Sequence, residues 1–117
     1  MGETTDRKAA ARRAILEGEA RTTREERRRA YDGEGADGAV ARYIAKVRDA
    51  AYKVVDEDVA ALREAGLDDD RIFELTVATA VGQATRQYDA AVAALDEALA
   101  ATAGDTGAAG DASSEVA

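Results

Sequence analysis

Tyr52, Lys53, Asp56, Glu57 and Asp58 lie close together in one short stretch of the chain. A phenol beside an ammonium group can hold an anion, or act as an acid where its pKa is shifted. The plainer account of the same residues is a tyrosine packed at a helix end and a solvated lysine among acids. Further along, Arg86, Gln87 and Asp89 interrupt an apolar stretch. Gln83, Arg86 and Tyr88 could line a ligand pocket, although polar groups on a helical seam more often set register and partner number. Asp68, Asp69 and Asp70 bring three carboxylates together. A calcium loop needs alternating oxygen ligands, a glycine and a distal glutamate, and that pattern is absent. Consecutive aspartates at a helix start act as caps. Arg21, Arg24, Arg27, Arg28 and Arg29 form a basic patch. Glu25 and Glu26 interleave with it and no aromatic set accompanies it. The expectation is a solvated or inter-subunit ion-paired face rather than a nucleic-acid surface.

Composition narrows the chemistry further. The chain has no cysteine, so it carries no thiol nucleophile, disulfide or thiolate metal site. It has no histidine, the usual general base near neutral pH and the commonest transition-metal ligand. No cofactor and no metal are expected. The formal net charge of −8 opposes binding to nucleic acid or an anionic membrane. Residues 1–20 are charged rather than signal-like, and no apolar run approaches a membrane span. The expected location is the cytoplasm.

These residues must be positioned by helices. Residues 1–6 are polar and expected to fray. A single helical domain is expected over 7–102, with a low-complexity, disordered tail over 103–117. Arg7–Glu17 has helical composition and is closed by Gly18. Thr23 and Glu26 have capping-box spacing, which predicts a short helix from about Arg24 to Tyr31. The glycines and aspartates of Asp32–Gly38 predict a loop. A third helix is expected over Ala39–Lys53, from the stripe Val40, Ile44, Val47 and Ala51. Asp56 is expected to cap a fourth, from about Glu57 to Ala65, which Gly66 stops. Leu67 should anchor the turn into a fifth helix over Asp68–Ala101.

That fifth helix dominates the chain. Val77, Val81, Thr85, Tyr88, Val92, Leu95 and Leu99 recur at spacings of four and three, a heptad seam. Ile72, Leu75 and Thr79 form a second stripe facing another way. Unbroken, the helix would run roughly 45–50 Å. Gly82 sits inside it, where glycine costs about 1 kcal/mol relative to alanine, so it marks a close backbone approach. Val, Ile, Leu, Phe and Met together number only 20 residues. So few large side chains cannot cover both stripes from within, and the expectation is an obligate homo-oligomer. Its interface would be Val81, Tyr88, Val92, Leu95 and Leu99.

The block AAYKVVDEDVAALREAGLDDDRIFELTVATA resembles the core of the carboxymuconolactone decarboxylase and alkyl-hydroperoxidase D-like family. The resemblance spans about residues 40–100. It rests on a helix, a short helix, Ala-Gly-Leu, an acidic cap, and Ile-Phe-Glu-Leu opening a long helix. It implies an all-α, alkyl-hydroperoxidase D-like bundle of about five helices with one long C-terminal helix, assembled as trimers or hexamers. The seam alone supports a dimer. The family's Cys-x-x-Cys and following histidine would fall on Ala51, Val54 and Asp58, and its proton-relaying glutamate near Ala39. A thiol peroxidase needs an attacking and a resolving thiol, which Ala51 and Val54 cannot supply. The resemblance therefore implies the fold without that activity. Two functions follow as expectations. One is a non-catalytic assembly or binding protein. The other is a cysteine-independent enzyme or small-ligand binder whose pocket is formed by Tyr52, Lys53, Asp58, Gln83 and Arg86.

Overall fold

The computed structural model describes the backbone of residues 2–104 and the side chains of residues 6–104. The described chain is all-α: α1 (Gly2–Glu17), α2 (Arg24–Tyr31), α3 (Gly38–Ala50), a 3-10 turn (Ala51–Lys53), α4 (Asp56–Glu64) and α5 (Asp69–Gly104). No strand occurs among the described residues. The chain divides into two compact units, residues 1–85 and residues 86–117. No described helix is long and apolar enough to cross a membrane.

Local chemistry sets the helix ends. Thr23 caps α2: its Oγ1 accepts the Glu26 N–H at 3.0 Å, and Glu26 Oε1 accepts the Thr23 N–H at 2.8 Å. These two bonds satisfy orphan donors reciprocally. α2 ends at Gly33, whose φ is 86°. The Gly33 N–H bonds the Ala30 carbonyl and the Glu34 N–H bonds the Arg29 carbonyl, a Schellman closure. α4 ends the same way at Gly66, φ 100°, with Leu67 N–H on the Leu62 carbonyl. Asp68 caps α5 through Oδ1, which accepts the Arg71 N–H at 2.8 Å.

Several expected boundaries move. α1 begins at Gly2 rather than Arg7; no proline or glycine interrupts Glu3–Asp6. α3 stops at Ala50 instead of Lys53, and the 3-10 turn leads into extended Val54 and Val55. Branching at Cβ favours that extended backbone. Asp56 is not the cap of α4 but its first residue. Val55 holds the cap position, and Asp58 Oδ2 accepts the Val55 N–H at 2.9 Å. α5 runs on to Gly104. The rest of the segment expected to be disordered, residues 105–117, lies outside the described residues.

In the first unit α5 meets the shorter helices in two adjoining clusters. Ala30, Ile44, Leu75 and Ala78 form one; Tyr43, Val47, Leu62 and Ile72 form the other. Val40 and Leu67 pack against both. The buried stripe of α5 is therefore Ile72, Leu75, Ala78, Thr79 and Gly82. Gly82 is where α5 meets the backbone of Tyr31. A Cβ there would collide with the Tyr31 carbonyl oxygen and lie 2.7 Å from its carbon. The glycine marks a close approach, as its position in the sequence predicts.

Candidate functional site

Asp58, one of the residues singled out in the sequence, is joined by the fold to a partner of opposite charge. Lys46 Nζ, on α3, approaches its Oδ2 at 2.8 Å, with the two side chains 32% and 25% exposed. The same carboxylate caps α4 through Val55. The Lys46 hydrogen bond, joined by the Val55 N–H, holds the Asp58 carboxyl below its usual value. Asp58 is thus fixed in its ionised form at neutral pH and is a poor proton acceptor there. Beside the pair is a groove of about 250 Å³, lined by Ala39, Arg42, Tyr43, Lys46, Asp58 and Ala61. Tyr43 closes its own hydrogen bond inward, with its hydroxyl 2.7 Å from Thr76 Oγ1.

The other predicted site residues are dispersed. Tyr52 lies in the 3-10 turn and is 84% exposed, and Lys53 Nζ sits 5.8 Å from its ring centroid. Neither residue lines the groove. Ala51 is exposed and Val54 half-buried. Gln83 is half-buried in the first unit, while Arg86 is exposed and begins the second. Asp68, beyond capping α5, pairs with Arg21 at 2.7 Å, and Asp69 pairs with Arg63 at 2.9 Å. Both carboxylates thus take part in structural ion pairs.

The basic patch also divides. Arg27 is 5% exposed, so it is not part of a solvated face. Its Nη1 donates to the carbonyls of Ile15 at 2.9 Å and Gly18 at 2.7 Å. It caps the C-terminal end of α1, where carbonyls lack helical partners and positive charge is favoured. Glu74, on α5, holds the same connection from the other side. Its carboxylate accepts from the N–H groups of Arg21 and Thr22 and from the Thr22 hydroxyl, at 2.8–3.0 Å. Burial works to raise the Glu74 carboxyl, but these donors and the charge of Arg27 outweigh it, leaving it below its ordinary value. The sequence signals Lys46, Arg27 and Glu74 poorly, because each acts on a residue far from it along the chain.

Compared with known protein families, curated proteins and solved structures, the chain matches none. Its chemistry is therefore carried by its own geometry.

Two further features are a cavity and a helical stripe. A cavity of about 100 Å³ has Val40, Ile44, Leu67 and Leu75 as its apolar wall and Arg71 beside them. The Arg71 Nε is buried and has no hydrogen-bond partner among the described residues. Glu26 and Glu34 also line this cavity, which offsets the cationic charge. The second feature is the predicted interface on α5. Val81 is half-buried in the first unit. In the second unit Tyr88 is 51% exposed, Leu95 and Leu99 are each 58% exposed, and Val92 is half-buried.

Proposed function

We propose that this chain is a non-catalytic, self-associating helical protein with a binding or assembly role. We further propose that it has the alkyl-hydroperoxidase D-like arrangement with the thiol redox centre absent. The observation that carries the reading is the exposed stripe of Tyr88, Leu95 and Leu99 at heptad spacing on one helix. Monomers rarely leave contiguous apolar surface open to water, and a second copy offers the same stripe in return. The family part is supported by the order of elements: short α4, Gly66-Leu67, an aspartate cap, then long α5. In that arrangement the thiol places hold Ala51 and Val54, and the histidine place holds the ion-paired Asp58. The resemblance implies trimers or hexamers, and the stripe requires at least a pair.

Light scattering on the full chain tests the reading. The wild type should run as an oligomer, and Val92→Glu with Leu95→Glu should run as a folded monomer. A folded wild-type monomer at low micromolar concentration overturns it.

A second reading, a small-ligand binder or cysteine-independent enzyme, is favoured by the groove beside Lys46 and Asp58. It predicts that a bound small molecule will shift amide resonances along α3 and α4, and that Lys46→Met will abolish the shift.

A further inference from the structure

We infer that the second half of α5 pairs with the same segment of a second copy, two chains running parallel and in register. This rests on the self-association proposed above, not on the trimers or hexamers that the resemblance implies, and adds its orientation and chain number. Tyr88, Val92, Leu95, Leu99 and Thr102 fall at spacings of four, three, four and three. In heptad terms Val92 and Leu99 take position a, and Tyr88, Leu95 and Thr102 take position d. The positions beside this seam are then fixed. Asp89 and Asp96 take position e, Ala91 and Ala98 take position g, and all four are exposed.

Charge decides the orientation. In a parallel pair each e position faces a g position of the partner, so aspartates meet alanines. In an antiparallel pair e faces e and g faces g. Each antiparallel register that sets a against d then places Asp89 or Asp96 opposite an aspartate of the partner. Flanking charges of this kind set partner orientation in coiled coils, and like charges in contact destabilise helical pairs. Parallel pairing avoids the clash, and its alanine edge lets the backbones approach.

Side-chain shape decides the number. A β-branched residue at a with leucine at d favours two strands, and Val92 with Leu95 supplies that layer. Asp89 and Asp96 also keep one edge of the stripe polar. A third chain would draw those carboxylates toward the seam and out of water, which is costly.

The absence of cysteine from the chain makes the test clean. Val92→Cys and Leu99→Cys are made singly in the full-length protein and oxidised, with Ala93→Cys as an outward-facing control. Parallel, in-register pairing brings each a position against its own counterpart, so both variants should form covalent dimers. Each should exceed the control at least about tenfold, because thiols whose Cα atoms lie more than about 7 Å apart cannot bridge without backbone movement. An antiparallel pair lets at most one of the two crosslink, the one nearer the two-fold axis. An oligomeric wild type in which only one variant or neither crosslinks therefore overturns the orientation. A scattering mass of three or more chains overturns the number. A monomeric wild type instead overturns the underlying self-association.

Discussion

A Cβ added at Gly82 would meet the backbone of Tyr31, not the end of a movable side chain. Two effects compete at this position. Alanine in place of glycine stabilises a helix interior by about 1 kcal/mol. Overpacking a fixed contact costs about 1–3 kcal/mol, and backbone cannot rotate away as a side chain can. The clash should win, so Gly82→Ala lowers unfolding stability in urea, whereas Ala84→Gly on the exposed face costs only the propensity term. A gain in stability for Gly82→Ala would show that α2 and α5 separate there without penalty. Glu74 makes a different prediction. Its carboxyl lies below the ordinary value of 4.5 in the fold, so the unfolded chain binds the proton more tightly. Its contribution is complete above that ordinary value and is lost as pH falls through the lower, folded value. Glu74→Gln should therefore lower Tm near neutral pH and flatten the fall of Tm in acid. Parallel Tm curves for the variant and the wild type would mean that the carboxylate's charge contributes nothing.

Arg27 links two elements: it sits in α2 and satisfies carbonyls at the end of α1. Arg27→Met keeps most of the aliphatic stem and removes the donors, leaving those carbonyls without their partner. A buried polar group left unsatisfied costs about 1–3 kcal/mol. The urea midpoint should drop accordingly, and amide exchange should quicken first in α1. Unchanged exchange in α1 would show that water replaces the guanidinium. This arginine also shows where the sequence stops being legible. Thr23 with Glu26, Gly66 and the aspartate cap of α5 were readable because each bond closes within a few residues. Gly82 was readable because a glycine inside a helix needs a reason. Arg27 was indistinguishable from Arg24 and Arg28, because its partners lie nine and twelve residues away, around a turn. Asp58 was noticed for its charge, but Lys46 was not, since only the packing of α3 on α4 brings the two together. Tyr52 was singled out for its chemistry, and the turn that follows α3 leaves it in solvent.

For the whole molecule the question is how so small an apolar core is stabilised. The cluster around Ile44 uses alanine at two of its four buried positions, Ala30 and Ala78. Alanine permits close approach but removes little area from water, and burial contributes about 25 cal/mol per Å². The large side chains Tyr88, Leu95 and Leu99 are meanwhile more than half exposed. If a second copy buries them, folding and association are linked, and Tm must depend on protein concentration. A tenfold rise in concentration favours a pair by about 1.4 kcal/mol. The unfolding entropy is about 2.1 cal/mol/K per residue, summed over both chains, so that energy corresponds to roughly 3 °C in Tm. Calorimetry from micromolar to millimolar protein should show this climb in the wild type. Val92→Glu with Leu95→Glu should flatten the slope and lower Tm at high concentration, while its Tm at the lowest concentration stays close to that of dissociated wild type. A wild-type Tm independent of concentration over that range would mean that the first unit is stable on its own and that the stripe adds nothing to its folding.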